Sequence, residues 1–149
     1  MFDTVYAIVY SASMLRAVID TNVLVAALKS RNGASHEILR LADAGLFKPV
    51  VSVPLVTEYE DVLHRTEMGI ALRRDQIDAV LDRICQLSIN QTVYFLWRPF
   101  LPDPKDDMVF EVAMTSQSRY IITFNTGDFV PASQFGIQAI TPREFLLEL

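Results

Sequence analysis

The stretch from Leu15 to Leu28, LRAVIDTNVLVAAL, constrains the fold more than any other part of the chain. A short apolar run ends at Asp20, and a helix-compatible run follows at once. This pattern predicts a buried strand with Asp20 at its carboxyl end and a helix directly behind it. In open parallel sheets, ligands bind just outside the carboxyl ends of the strands, so Asp20 is a candidate metal ligand. Capping of the helix by Asp20, Thr21 or Asn22 explains the same residues equally well.

The rest of the chain repeats this alternation of strand and helix. The predicted strands are short and apolar on both faces, which is typical of a parallel sheet covered by helices on both sides. The sequence therefore predicts an α/β, three-layer α/β/α fold with a central, mainly parallel sheet of four to five strands. After the first unit, strands are expected at about 48–52, 92–96, 120–124 and 137–140, and helices at 34–44, 53–66, 74–88, from 103 onward and from 141 onward.

Length and composition indicate one globular domain. The chain has 149 residues, of which 51% are hydrophobic, and its mean hydropathy is +0.26. We expect residues 14–149 to form that domain and residues 1–13 to be an N-terminal extension, in which VYAIVY could add an edge strand. No apolar run approaches the roughly 20 residues of a membrane span. The N-terminus has no early Lys or Arg, so it does not resemble a signal peptide. With a single cysteine, Cys85, we expect a cytoplasmic protein without membrane contacts.

The charge balance limits how the chain can meet nucleic acid. Eighteen acidic and 13 basic residues give a net charge of -5, which argues against wholesale coating of a nucleic acid. Local contacts with phosphate groups remain compatible with this charge. If several acids surround a divalent ion, the ion offsets their charge and a substrate meets a different local field.

Four acids fall at or shortly after predicted strand ends: Asp20, Glu58, Asp106 and Asp128. Because the carboxyl ends of parallel strands lie at one edge of a sheet, these side chains can converge. Bare carboxylates at close range repel each other and have raised pKa values. A hard divalent cation with oxygen ligands, Mg²⁺ or Mn²⁺, resolves this repulsion. Neither histidine is placed to join them, which argues against zinc.

Helix-start chemistry offers a simpler explanation for some of these acids. Asp103, followed by Pro104, has the form of a helix N-cap. The helical wheel places Asp106 beside the apolar face and turns Asp107 further round, so we interpret Asp107 as a solvated first-turn acid. Asp128 is equally explained as the cap of a turn. The wheel permits Glu58 as a site residue without singling it out.

Four segments in order resemble the successive motifs of PIN-domain nucleases, most closely the bacterial toxin components of toxin–antitoxin pairs. They are VIDTNVLVAAL, PLVTEYEDVL, DPKDDMVFEVA and YIITFNTGDF, and the resemblance spans roughly residues 14–146. Carried over position by position, it implies that Asp20, Glu58 and Asp106 are the catalytic and metal-binding acids. The family's fourth acidic position holds Asn125 here. Either Asp128, three residues later, replaces it as a ligand, or the site consists of three acids.

The resemblance also implies a PIN-like fold and Mg²⁺- or Mn²⁺-dependent hydrolysis of RNA, with water attacking phosphorus in line. Asn22, Thr123, Asn125 and Asp103 are expected to hold the carboxylates in place. Implied partners are the RNA substrate, a small antitoxin protein and a second copy of the chain. The helices at 34–44 and 74–88 offer apolar faces for such contacts, although core burial explains much of their content equally well.

Other functions stay open or are disfavoured by single positions. Because Asn125 departs from the family pattern, a catalytically weak PIN fold that acts as a protein- or RNA-binding module is the main alternative. An aspartyl phosphatase usually has a second acid two residues after the first, where this chain has Asn22. A receiver domain would need neighbouring acids near the N-terminus and a strand-end lysine, and the sequence shows neither.

Overall fold

A five-stranded parallel sheet forms the centre of the computed structural model, which describes residues 14–94 and 98–149. The N-terminal extension and its predicted edge strand lie outside the described residues. The sheet has the order β3-β2-β1-β4-β5, and every neighbouring pair is parallel. The strands are β1 (Arg16–Ile19), β2 (Lys48–Val51), β3 (Ile89–Asn90), β4 (Tyr120–Ile122) and β5 (Gln138–Ile140).

Helices flank this sheet. They are α1 (Thr21–Lys29), α2 (Ala34–Asp43), α3 (Val53–Leu63), α4 (Arg74–Leu87), α5 (Asp107–Ser116) and α6 (Pro142–Leu146), with 3-10 turns at Thr66–Met68, Pro104–Asp106 and Thr126–Phe135. Helix α4 packs against β2, and α5 packs against β1, β2 and β4. Because parallel crossovers are right-handed, the helices between β1 and β3 lie on one face and α5 lies on the other. The predicted three-layer α/β/α fold is confirmed.

The strand order reverses between β1 and β4. From β1 the chain moves outward to β2 and β3, and it then returns to the other side of β1 to form β4 and β5. The register pairs Ile19 with Ile122, so β1 and β4 end side by side. In doubly wound sheets this reversal opens a crevice at the carboxyl ends of the two central strands, and ligands bind there. Asp20 and Thr123 are the first residues beyond those two ends.

Burial on both faces explains why the central strands are apolar. Ala17, Val18 and Ile19 in β1 and all three residues of β4 are buried. Aromatic side chains extend the core toward the last helix, where the rings of Phe47 and Phe145 meet edge to face at 4.9 Å. Local caps fix the helix starts. The Ser52 hydroxyl accepts from the Leu55 N–H at 3.3 Å, and Thr141 forms a reciprocal capping box with Glu144.

One strand differs from the sequence-based prediction. The third strand is predicted at about 92–96, but β3 consists of Ile89 and Asn90, and residues 91–94 are irregular. Positions 95 and 96 of that prediction lie outside the described residues. Helix α4 ends at Leu87, and the chain then pairs at once with Val50 and Val51 of β2. The other strands lie within two or three residues of their predicted bounds. Within the described ranges, no helix is both long enough and apolar enough to cross a membrane.

Candidate active site

Asp20 lies at the reversal point of the sheet and is nearly buried, with 7% of its surface exposed. Its Oδ1 accepts from the Thr21 N–H at 2.8 Å, and its Oδ2 accepts from the Thr123 hydroxyl at 2.7 Å. Burial raises the pKa of Asp20 most strongly. The bonds from Thr123 and Thr21 lower this pKa, and the charges of Glu58 and Asp128 raise it further. Asp20 therefore both caps α1 and presents a carboxylate to the crevice.

Thr123 connects the ends of the two central strands. Its side chain is fully buried, and its hydroxyl donates to Asp20 while accepting from the Asn125 N–H at 3.0 Å. The Thr123 N–H donates to the carbonyl of Ile140 in the neighbouring strand at 2.9 Å. These bonds fix the hydroxyl from both sides. Asn125 thus contributes to the site through its backbone.

Glu58 reaches the crevice from helix α3. The Thr21 hydroxyl donates to its Oε2 at 3.1 Å, which ties α3 to the start of α1. The neighbouring Tyr59 is buried, and its hydroxyl donates to the carbonyl oxygen of Ile19 at the end of β1. On the opposite side, the Asn22 side chain accepts from the Phe124 N–H at 3.5 Å. The residues around Asp20 therefore connect the first turn of α1, the second turn of α3 and the turn after β4.

Asp106 interacts electrostatically with the other acids of the crevice. Its pKa is raised to about 7, first by burial and then by the charges of Asp20, Asp103, Asp128 and Glu58. The side chain belongs to the 3-10 turn before α5, where the Asp106 N–H donates to the carbonyl of Asp103 at 3.0 Å. All four candidate acids, together with Asp103, therefore share one electrostatic neighbourhood.

The carboxylates lie near one another, but they do not converge closely enough to share one metal ion as they stand. Among residues 14–94 and 98–149, no group of three or more His, Cys, Asp or Glu side chains is close enough to hold a metal ion. The donors are nonetheless all oxygen atoms, and the pKa values of Asp20 and Asp106 are raised by burial and by like charge. Oxygen ligands and uncompensated negative charge fit a hard divalent cation such as Mg²⁺ or Mn²⁺. We conclude that the chemistry of the donor set fits this ion.

Two buried acids on α5 escaped the sequence analysis. The prediction of a solvated Asp107 is wrong, because its carboxylate is fully buried and accepts from the backbone N–H groups of Leu101 at 2.9 Å and Phe100 at 3.4 Å. One turn later, Glu111 is only 2% exposed, and its Oε1 accepts from Arg98 Nε at 2.8 Å. Their spacing of four residues in the otherwise apolar stretch DMVFEVA was the available signal, since charged residues on one apolar face need partners.

Comparison with known proteins identifies the family of this chain. A family model described as PIN domain matches residues 16–127, from β1 to the turn after β4. The match includes Asp20, Glu58 and Asp106 and ends one residue before Asp128. No curated protein matches the chain. Because the family model covers well over half of the sequence, the chain belongs to the PIN domain family, whose members are generally nucleases that use Mg²⁺ or Mn²⁺.

Proposed function

We propose that the protein is a Mg²⁺- or Mn²⁺-dependent endoribonuclease that hydrolyses phosphodiester bonds in RNA. One observation carries the proposal. At the reversal point of the sheet, the carboxyl of Asp106 has a pKa raised to about 7 by burial and by four neighbouring acids. A protein that gathers carboxylates in this way is suited to bind a divalent cation from solution.

In this proposal, Asp20, Glu58 and Asp106 hold the cation, and Asp128 supplies a further oxygen. The cation would act as a Lewis acid toward water and the scissile phosphate. The hydrogen bond from Thr123 lowers the pKa of Asp20, so it keeps that carboxylate ionised and oriented. The Thr21 hydroxyl donates to Glu58 Oε2 and so orients that side chain. Hydrolysis by water needs no covalent enzyme intermediate.

The direct test is cleavage of single-stranded RNA with Mg²⁺, with Mn²⁺ or with EDTA. We expect cleavage with either metal, none with EDTA, and a loss of at least about a hundredfold in Asp20→Asn, because this change removes a charged ligand. Glu60→Gln is the matched control, since it removes an exposed carboxylate on the helix that carries Glu58. Equal residual activity in wild type and Asp20→Asn would mean that the cleavage comes from a contaminant, and would overturn the proposal.

Two observations favour a second candidate, a PIN fold that binds RNA or protein with little catalysis. Asn125 occupies the fourth acidic position, and no three ligating side chains in the described parts of the chain are at metal-binding distance. A binding module should retain RNA in the presence of EDTA and leave it uncut when Mg²⁺ is added. The same cleavage assay therefore separates the two candidates.

We further propose that the nuclease is the cytoplasmic toxin of a toxin–antitoxin pair and forms a homodimer. Support comes from the likeness of its motifs to such toxins and from an apolar groove of about 250 Å³ between α2 and α4. Expression in bacteria should arrest growth, and Asp20→Asn should abolish the arrest. Rescue by the product of the adjacent open reading frame would identify the antitoxin, and light scattering would give the oligomeric state. Normal growth during expression of the wild type would contradict the toxin role.

A further inference from the structure

A second cavity opens at the same edge of the sheet, beside the acidic site. Its volume is about 240 Å³, and it lies beyond the carboxyl ends of β2 and β3. Because β2 is the neighbour of β1, the cavity is one or two strand spacings, about 5–10 Å, from Asp20. Its lining includes Ser52, Val53, Asn90, Gln91, Arg98 and Glu111.

Glu111 provides a buried carboxylate in the lining of this cavity. The residue is 2% exposed, and Arg98 Nε donates to its Oε1 at 2.8 Å. Its other oxygen, Oε2, is buried and has no hydrogen-bond partner among the residues that the structure describes. A buried carboxylate oxygen without a partner is costly, and Glu111 belongs to the cavity lining, so a donor that enters the cavity and reaches this oxygen would satisfy it.

The loop that carries Arg98 is fixed to the same helix. The buried carboxylate of Asp107 accepts from the backbone N–H groups of Phe100 and Leu101. Asp107 precedes Glu111 by one turn of α5, so one helix positions both the acceptor and the loop with its guanidinium. A site held from two sides is preorganised and loses little entropy on binding.

We propose that this cavity binds one base of the RNA substrate and prefers guanine. The inference rests on the proposed function, since it takes RNA as the ligand. The volume is below the roughly 300–1,000 Å³ of pockets for drug-sized ligands, which suits a single base. Val53, Val93 and Met108 offer apolar surface to the faces of the ring.

Hydrogen-bond complementarity selects guanine. Its N1–H and amino group are adjacent donors for Glu111 Oε2, and Arg98 can donate to its O6, as arginine does at guanine edges. Uracil presents one N–H between two carbonyl oxygens, which a carboxylate repels. A site built around a buried acceptor strongly rejects a base that leaves the acceptor unpaired.

Exposed aromatic side chains lie on both sides of the acidic site and the cavity. Tyr94 follows β3 and is 82% exposed, and Phe124 follows β4 and is 50% exposed. Since β3 and β4 enclose β2 and β1 in the sheet order, these rings border the edge on which Asp20 and the cavity lie. Aromatic rings beside a nucleic-acid path stack on bases without sequence preference, so the rings would hold the strand while the cavity reads one base.

The test measures, by fluorescence anisotropy, how tightly the protein binds the single-stranded pentamers UUGUU and UUUUU in EDTA. Without metal the RNA stays intact, so binding is measured apart from cleavage. We expect the wild type to bind UUGUU about tenfold more tightly than UUUUU. Glu111→Gln replaces the free acceptor by a donor of the same size and should reduce this preference to within about twofold.

Val53→Trp provides a second variant that does not disturb the core, because Val53 is 81% exposed at the cavity mouth. It should remove the preference by blocking the cavity, whereas Glu60→Gln, an exposed carboxylate on the same helix, should retain it. Equal binding of the two pentamers by the wild type, or a preference that survives both Glu111→Gln and Val53→Trp, would overturn the inference.

The outcome is separable from that of the proposed function. A guanine preference without Mg²⁺-dependent cleavage would reject the nuclease and support the base site. Metal-dependent cleavage together with equal binding of the two pentamers would support the nuclease and reject the base site.

Discussion

At the scale of single residues, the hydrogen bond from the Thr123 hydroxyl changes the pKa of Asp20 more than any other contact does. Thr123→Val removes the donor to Asp20 Oδ2 and the acceptor of the Asn125 N–H. The pKa of Asp20 should rise further, because the Thr123 bond lowers it. We expect kcat/KM to fall about 10–100-fold and the free energy of unfolding to fall by about 1–3 kcal/mol.

The control for this change is Thr123→Ser, which keeps the hydroxyl and should restore most of the activity. Steady-state kinetics and urea unfolding measure the two effects. Wild-type activity in Thr123→Val would show that the hydroxyl does not support the chemistry.

The raised pKa of Asp106 leads to a second prediction at this scale, on how the stability of the folded protein depends on pH. Its folded pKa is about 7, against an ordinary value of 3.8, so between these values the folded protein binds more protons than the unfolded chain. The contribution of this carboxyl to stability is therefore lost as the pH rises from about 4 to 7. Asp106→Asn should stabilise the metal-free protein at about pH 8 by about 1 kcal/mol, after allowance for solvent screening, and should have little effect near pH 4.

Urea unfolding in EDTA at both pH values measures this difference. Asp61→Asn is the control, because its partner Arg65 and the pair itself are exposed. An Asp106→Asn protein that is less stable than wild type at pH 8 would contradict the electrostatic interpretation.

At the scale of elements, Asp107 joins the loop before α5 to that helix. Asp107→Ala leaves the buried Leu101 N–H without its acceptor, and we expect a loss of about 1–3 kcal/mol in the free energy of unfolding. Hydrogen exchange should report the change locally, as faster exchange of the Leu101 amide. Asp75→Ala, which removes an exposed carboxylate on α4, should change stability by less than about 0.5 kcal/mol. An unchanged Leu101 amide would argue against this role for Asp107.

Elements whose pattern repeats over many residues could be predicted from the sequence. Helices α2, α3 and α4 have apolar residues at helical spacing, and each lies within three residues of its predicted bounds. Strand β3 could not be placed, because two residues have no periodicity and their position depends on pairing with Val50 and Val51. The order of strands and helices follows from local patterns, whereas the shortest strand depends on contacts that are distant in sequence.

The candidate site shows the same division between local and distant contacts. Asp20 was identifiable because it ends a strand, which is a local feature. Glu58 was only permitted by the helical wheel, since the hydrogen bond from Thr21 joins residues 37 positions apart. Asp107 was misjudged because first-turn acids are usually solvated, and only the returning loop at Phe100 and Leu101 buries this one.

At the scale of the whole molecule, the topology concentrates negative charge at one edge of the sheet. The chain has a net charge of -5, and Asp20, Glu58, Asp106 and Asp128 lie around the reversal point of its strand order. These carboxylates weaken the binding of a polyanion such as RNA close to Asp20, and a bound cation offsets that repulsion. We therefore expect metal binding and RNA binding near Asp20 to be coupled, while contacts further along the edge are less affected.

This charge distribution makes metal binding measurable as stability. A cation that binds only the folded state stabilises it by RT ln(1 + [L]/Kd), which is about 1.4 kcal/mol at a concentration tenfold above Kd. Thermal unfolding at about pH 8 should therefore shift upward with Mg²⁺ or Mn²⁺, and NaCl at equal ionic strength should have less effect. Because protons compete for Asp106, whose pKa is about 7, the shift should shrink as the pH falls below 7.

Asp20→Asn decides whether this stabilisation arises at the reversal point of the sheet. The variant removes one charge from the crevice and keeps one oxygen, which can accept from the Thr21 N–H, while its amide NH2 can donate to the Thr123 hydroxyl oxygen. Its metal-dependent shift should be largely lost, while the shift in Glu60→Gln, which removes one charge elsewhere, should equal that of the wild type. A full metal-dependent shift in Asp20→Asn would place the cation away from these carboxylates, and the hydrolytic mechanism would then lack its central component.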